Sequence, residues 1–263
     1  MVEVRKSETG VRSDICQSDE TSVTVHGYDL ADELIGKIDL GSFAFLLFRG
    51  RLPNDAESAL MNAAFVSLAE HGLTPNVLAT RLTYLGAPES LQSAVAAGIL
   101  GLGSRFVGTT EQGAQMIQRG TTSLLDVSAD PPGEVIQAKA AEIVDEFFNR
   151  NEVVPGVGHR LHRPTDPRAE ALLNLVEDQG FPTLPQQLMR NIAEEASRRS
   201  GRVLPVNVTG AIGVIATVLG LDWEITRGIS VVARAIGLVG HLTEEIRQPM
   251  AKVIWRTIDE ANN

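Results

Sequence analysis

The segment that most constrains this chain is 153–168, which reads VVPGVGHRLHRPTDPR. Proline lacks a backbone N–H group, fixes φ and disfavours helical geometry in the residue before it, so a regular helix cannot run through this segment. Glycine lets the backbone approach a ligand closely or take a positive φ. The pattern predicts a shaped loop carrying His159, followed by a helix with Asp166 as N-cap and Pro167 in its first position. The alternative is a plain surface loop with a basic flank.

The composition narrows both the fold and the class of partner. Of the 263 residues, 43% are hydrophobic but only 5% are aromatic. A core must therefore consist mainly of Leu, Val, Ile and Ala, which favours packed helices over a β-sandwich. The net charge of −10 disfavours a nucleic-acid binder with a broad basic face. A single cysteine, Cys16, excludes an internal disulfide framework and a cysteine-rich metal site.

The sequence gives no signal for export or for a membrane. The first residues, MVEVRKSETG, lack an apolar signal core. No run approaches the ~18 apolar residues that a membrane span needs. We therefore expect a soluble, cytoplasmic protein without membrane or nucleic-acid partners.

Helical patterns joined by short turns follow one another along most of the chain, which predicts an all-α fold. Ser22–Tyr28 alternates in polarity and predicts a short strand before a turn at Gly27, and Tyr28–Ile38 is expected to form a short helix. The other expected helices cover 42–49, 55–70, 76–85, 90–102, 110–119, 132–150, 167–179, 185–199, 208–220, 226–247 and 249–259.

The motifs PGVGH and TDPR, at this spacing, resemble the corresponding loop of citrate synthases and the related citryl-CoA lyases. Three further stretches are similar to that family: RGRLPNDAE to an early turn, EHGLTPN to a histidine loop, and ARAIGLVGHLTEE to a late arginine-bearing helix. The short chain is most similar to a citryl-CoA lyase. The resemblance implies a large helical domain, 1–109 and 213–263, with a smaller helical domain inserted at 110–212.

The resemblance also implies which side chains hold the substrate. His71 and His159 match histidines that contact the carboxylate and the hydroxyl or carbonyl oxygen of the acid. Arg168 and Arg234 match arginines that grip its carboxylates, which suits the planar fork of arginine. Arg247 lies near an arginine that the partner subunit contributes in the family. The alternatives are a solvated loop histidine for His71 and surface ion pairs for the arginines.

The other ligand expected from the resemblance is a coenzyme A thioester, bound as a substrate. Arg160 and Arg163 would face its phosphates. No cluster in the sequence has metal-ligand spacing, so no metal is expected. His26, His162 and His241 match no catalytic position and are expected to be structural or solvated. The backbone that would contact the coenzyme belongs to Val154, Pro155, Gly156, Val157 and Gly158.

Two catalytic groups of the family have no counterpart at the matching positions. Citrate synthases carry a histidine that stabilises the enol oxygen. In this chain the matching loop is GSRFVGTTEQGA, and the position of that histidine holds Phe106 or Val107. They also carry an aspartate, four residues before a glycine, that removes the acetyl proton. In PVNVTG this position falls on Val206, and a valine cannot move a proton.

The retained residues favour a citryl-CoA lyase-like carbon–carbon lyase, which cleaves a citryl-type 3-hydroxyacyl-CoA into an acyl-CoA and an oxo acid. In the family these are acetyl-CoA and oxaloacetate. His159 would take the proton of the hydroxyl group. The alternatives are a non-catalytic relative that binds a CoA ester or a dicarboxylic acid, and a citrate synthase with an altered catalytic set. The family also implies a homodimer or a higher multiple.

Overall fold

The computed structural model describes residues 13–103, 107–159 and 161–262. Helices make up most of this part of the chain, which confirms the all-α prediction. Most of them lie where the sequence places them, although the fifth is considerably longer than expected. Their bounds are α1 Leu40–Arg49, α2 Asp55–Ala69, α3 Pro75–Gly86, α4 Leu91–Leu100, α5 Thr109–Val127, α6 Gly133–Asn149, α7 Pro167–Asp178, α8 Leu184–Ser200, α9 Val208–Val218, α10 Thr226–Arg247 and α11 Ala251–Asn262.

A small antiparallel sheet precedes the helices. Its strands β1 (Cys16–Ser18), β2 (Val23–Val25) and β3 (Tyr28–Asp29) lie in sequence order. The strand expected before Gly27 is therefore confirmed, and Gly27 adopts φ +86° in the turn. The helix expected over Tyr28–Ile38 was wrong, because β3 occupies its start and only a short π-helical turn, Leu30–Leu34, follows.

The chain divides into two compact units, Met1–Asn62 and Ala63–Asn263. The first unit has its own apolar cluster around the buried side chains of Val25, Leu34 and Leu46. This division does not test the expected insertion of 110–212, which stays a prediction.

In the second unit, small residues let the helices pack closely. α3 packs on α4, α10 packs on both, α5 packs on α8 and α9, and α7 packs on α9. A Cβ at Gly98 of α4 would overlap the Thr80 hydroxyl of α3. A Cβ at Gly213 of α9 would lie 3.1 Å from the backbone of Ala114 in α5. The first contact brings α3 and the end of α4 together, and the second brings α5 and α9 together.

The segment Trp223–Arg247 is long and apolar enough to cross a membrane by length and composition alone. One such helix is weak evidence, since the core helix of a soluble protein has the same properties. Here it packs against α3, α4 and α5.

Candidate active site

The loop that precedes α7 depends on two glycines. Gly156 and Gly158 adopt φ +77° and φ +80°, the positive values that the sequence allows for. Gly156 also permits a close approach, because a Cβ there would lie 2.6 Å from the Cα of Gly210 in α9. Any other residue at Gly156 would therefore push the loop away from α9.

Backbone hydrogen bonds fix the loop against the segment before α9. Val157 and Val206 form an antiparallel bridge. The backbone N–H of Gly158 donates to the carbonyl of Pro205 at 2.7 Å, and the Asn207 amide Nδ2 donates to the carbonyl of Gly158 at 2.8 Å. The loop is therefore held rigidly up to the residue before His159.

Asp166 begins α7 as the sequence predicts, with Pro167 in the first helical position. Its fully buried carboxylate accepts hydrogen bonds from the Arg168 guanidinium at 3.1 and 2.9 Å and from the Val208 backbone N–H at 3.2 Å. Burial alone would raise the pKa of Asp166, but the hydrogen bonds and charge of Arg168 outweigh it and hold that pKa below its ordinary value. The ionised carboxylate therefore fixes the Arg168 fork in one orientation.

The ring of His159 is held in one tautomer. Its Nδ1 accepts backbone hydrogen bonds from Leu161 at 3.1 Å and His162 at 2.9 Å. The proton of the neutral imidazole is therefore on Nε2, which lies 3.4 Å from Nη2 of Arg168. Because both nitrogens carry hydrogens, the pair suits an oxygen acceptor placed between them. From the sequence, His159 was expected to take the proton of the substrate hydroxyl. This tautomer does not suit that role, because an Nε2 that already carries a proton donates to a hydroxyl oxygen and cannot take its proton.

His71 and His162 complete a group of three imidazoles. The His162 ring stacks on His159 with centroids 4.3 Å apart, and the His71 ring meets His159 edge-on at 5.8 Å. Burial lowers the pKa of His71, and the charges of Arg168 and Arg234 lower it further. Burial also lowers the pKa of His159, although Asp166 opposes this. His71 and His159 are therefore neutral at neutral pH.

The place of His162 was not predicted from the sequence. The three-residue spacing of the histidines in HRLH was the available signal, but only the fold of the loop turns one ring onto the other. The three rings bring nitrogen atoms within 4.8 Å of one another, so these residues could ligate a metal ion. The guanidinium groups of Arg168 and Arg234 act on this group of rings, and their charge favours an anion over a cation there.

Four of the five predicted catalytic and substrate-binding residues meet in one cavity of about 590 Å³: it is lined by His71, His159, Arg168 and Arg234. Of the five loop residues expected to contact a coenzyme, Val157 and Gly158 line this cavity, whereas Val154–Gly156 are buried beside it. Arg247 is exposed at the last residue of α10, so its role stays a prediction.

Arg234 carries the clearest mark of a missing ligand. Its Nη1 atom is buried and has no hydrogen-bond partner among the described residues. Burial lowers the pKa of Arg234, yet arginine keeps its charge in proteins. Leaving a buried cationic donor unpaired is costly, so the cavity is suited to an anionic acceptor such as a carboxylate.

α10 places Arg234 beside the His71 loop through a close backbone contact. A Cβ at Gly237, one turn after Arg234, would overlap the carbonyl oxygen of Ala69 at the end of α2. His241, one turn further, puts Nε2 2.9 Å from the carboxylate of Glu70. The other Glu70 oxygen accepts the backbone N–H of Gly72. The Glu70 carboxylate therefore contacts both α10 and the backbone of Gly72, which follows His71.

The structure places the two positions that lack the catalytic histidine and aspartate of the family differently with respect to the cavity. Phe106 lies outside the described residues, while Val107 is buried and lines the cavity. The side chain of Val206 is buried in the bridge beneath the loop and does not line the cavity, whereas Thr209 does; the assignment of the missing carboxylate to Val206 stays a prediction. Thr209 stands four residues before a second glycine, Gly213, and the sequence did not show which glycine to count from. Its hydroxyl donates to Asn207 Oδ1 at 2.7 Å, so this part of the cavity presents a neutral alcohol rather than a carboxylate.

Comparison with known proteins shows the family of the chain. A family described as citrate synthase, C-terminal domain, matches residues 56–257, which is most of the chain. The chain belongs to the citrate synthase family. A solved member of similar length, a citryl-CoA lyase from Hydrogenobacter thermophilus, superposes with a TM-score of 0.79 at 32% identity, covering 90% of this chain and 88% of that one.

Longer proteins are also similar to this chain, in fold or in sequence. An ATP citrate lyase from Methanothrix soehngenii, solved with citrate and coenzyme A, gives a TM-score of 0.75 at 22% identity over 93% of this chain and 40% of that one. A probable ATP-citrate synthase subunit 1 of Neurospora crassa is 26% identical over 84% of this chain. The chain spans only 33% of that relative's length.

Proposed function

We propose that this member of the citrate synthase family is a citryl-CoA lyase-like enzyme. It cleaves a citryl-type 3-hydroxyacyl-CoA to an acyl-CoA and an oxo acid, with citryl-CoA, acetyl-CoA and oxaloacetate as the first set to test. The observation that carries the proposal is the buried, unpartnered Nη1 of Arg234, in a cavity that also presents Arg168 and the donor Nε2 of His159. The similarity to a citryl-CoA lyase of nearly equal length supports the choice of reaction.

The binding step follows from the charges of the cavity. Arg168 and Arg234 each present a guanidinium to a carboxylate of the substrate. His159 donates its Nε2–H to the oxygen on the carbon that will become the carbonyl of the oxo acid. Val157 and Gly158 line the side of the cavity where the thioester arm would enter.

The cleavage step transfers one proton and one electron pair. His71, which is neutral and belongs to the same group of rings, takes the hydroxyl proton. The bond between the hydroxyl-bearing carbon and the carbon next to the thioester breaks, and a carbonyl forms on the oxo acid. The electron pair passes to the thioester as an enolate, which then takes a proton on carbon from the His71 imidazolium. The products together have the composition of the substrate, so no oxidant, reductant or water is consumed.

A non-catalytic binder of a CoA ester or dicarboxylic acid is the second candidate. The observation that favours it is the pair Val107 and Thr209, which line the cavity and supply neither an imidazole nor a carboxylate. A citrate synthase with an altered catalytic set is the third. We further propose that the protein acts in the cytoplasm as a homodimer or a multiple of one.

The deciding experiment supplies synthetic (3S)-citryl-CoA to the purified protein. Acetyl-CoA is quantified by chromatography and oxaloacetate by a coupled malate dehydrogenase assay, with an enzyme-free control for spontaneous breakdown. We expect both products in equal amounts. Tight binding without turnover would replace the proposal with the binder. Thiol release from acetyl-CoA and oxaloacetate at a rate above that of cleavage would replace it with the synthase.

A further inference from the structure

A second buried donor without a partner lines the same cavity. Asn76 is the second residue of α3 and only 2% exposed. The Thr74 hydroxyl lies 2.5 Å from Asn76 Oδ1 and donates to it, which settles the orientation of the amide. The amide nitrogen Nδ2 has no hydrogen-bond partner among the described residues and is closed off from solvent. A buried amide nitrogen left in this state is destabilising unless a ligand oxygen accepts from it.

Asn76 lies at the end of the cavity where α4 leads into the loop before α5. A Cβ at Gly98 would lie 2.9 Å from the Asn76 carbonyl oxygen, and a Cβ at Gly101 would lie 3.4 Å from Asn76 Cβ. The loop that begins there is the one on which the family resemblance implies an enol-stabilising histidine. Leu102 and Val107, the described residues of that loop that line the cavity, have no side-chain donor.

The cleavage reaction needs a donor at this place. When the carbon–carbon bond breaks, the electron pair moves onto the thioester oxygen, which becomes an enolate oxygen. Arg168, Arg234 and His159 are occupied by the oxo-acid half of the substrate in the proposed binding mode. A donor that is already oriented and desolvated stabilises such a charge without reorganising.

We propose that Asn76 is a catalytic residue whose Nδ2–H donates to the thioester oxygen as it becomes the enolate oxygen. This inference rests on the proposed function. Asn76 donates a hydrogen bond and transfers no proton, so the proton balance of the cleavage is unchanged. It takes the place, as a neutral donor, of the histidine that the family carries on the neighbouring loop.

The test compares Asn76→Ala and Asn76→Asp with Gln186→Ala. Asn76→Asp keeps the size of the side chain and its acceptor for Thr74 but removes the N–H donor. Gln186 is an equally buried amide at 2% exposure, lies on α8 outside the cavity lining, and controls for the loss of a buried amide. For both Asn76 variants we expect kcat of citryl-CoA cleavage to fall about 10²-fold, the usual effect of one lost oxyanion donor, with KM changed less than about threefold. Gln186→Ala should cleave at nearly the wild-type rate.

A binding measurement separates this inference from the proposed function. Carboxymethyl-CoA carries an anionic carboxylate one bond further from the sulfur than the enolate oxygen and within reach of the same donor, so with oxaloacetate present it should bind the wild-type protein more tightly than CoA does. Asn76→Ala should lose about tenfold in affinity for carboxymethyl-CoA and keep its affinity for CoA. If wild type binds this way and Asn76→Ala loses the affinity, but wild type does not cleave citryl-CoA, the lyase proposal fails and Asn76 is a binding donor rather than a catalytic residue. If wild type cleaves citryl-CoA and the folded Asn76 variants match it in kcat and in carboxymethyl-CoA affinity, the inference is overturned.

Discussion

The Arg168 guanidinium shows how one buried carboxylate prepares a side chain for its ligand. Asp166 accepts hydrogen bonds from two of the guanidinium nitrogens, Nε and Nη2. The Nη2 atom also lies beside Nε2 of His159. The orientation depends on the planar fork, because an ammonium group cannot hold Asp166 at two points and also face the cavity.

We therefore expect Arg168→Lys to weaken the binding of oxaloacetate at least about tenfold while the protein stays folded, since a lost charge-assisted contact typically costs on the order of 2–5 kcal/mol. Isothermal titration measures the affinity, and thermal unfolding reports the fold. Arg190→Lys is the matched control, because Arg190 pairs with Glu170 at 3.0 Å on the partly exposed surface of α7 and α8. Equal affinity in Arg168→Lys and Arg190→Lys would exclude Arg168 from the substrate site.

Single residues also show where sequence reasoning ends. His71, His159, Arg168 and Arg234 were found because each lies in a motif that resembles the family. Asn76 lies in one of the same motifs but was passed over, because its significance is a missing partner, and a missing partner is visible only after folding. Thr209 was missed for a related reason: two glycines follow it closely, and only the loop bridge shows which residue faces the cavity.

At the scale of elements, the contact between α10 and the end of α2 decides the distance between Arg234 and His71. Gly237 makes this contact possible, because any side chain there would overlap the Ala69 carbonyl. Two further contacts continue it: Arg81 Nη2 lies within hydrogen-bond distance of His241 Nδ1, at 2.8 Å, and His241 Nε2 lies 2.9 Å from the Glu70 carboxylate. The pattern of α10 predicted a helix, but the sequence does not show which glycine lies against which carbonyl.

We expect Gly237→Ala to lower the thermal midpoint and to reduce citryl-CoA cleavage more than about tenfold, because small misplacements of positioning groups are costly in catalysis. The matched control is Gly228→Ala in the same helix, where no atom lies within 4 Å of the added Cβ. That substitution should leave cleavage unchanged and stabilise the protein slightly, because alanine favours the helix. A Gly237→Ala protein with wild-type stability and rate would show that α10 can move without disturbing the site.

At the scale of the whole molecule, α10 and α11 leave apolar side chains exposed on a single chain. Val232, Ile236, Val239 and Ile246 follow the spacing of one face of α10, and each is more than 40% exposed. Val253, Trp255 and Ile258 of α11 are each at least 55% exposed. Contiguous apolar surface of this kind is typical of a protein–protein interface, which is the physical reason for proposing a homodimer.

A dimer would also explain why Arg247 is exposed and outside the cavity of its own chain: the resemblance implies that this arginine serves the partner's site. We expect light scattering at micromolar concentration to give twice the chain mass or a multiple of it.

Arg168→Lys and Arg247→Ala should each have little activity alone. In a mixture allowed to exchange subunits, half of the dimers combine the two variants and contain one intact site, so about a quarter of all sites should recover. A monomeric mass, or a mixture no more active than the sum of its parts, would contradict a shared active site and leave the apolar faces of α10 and α11 unexplained.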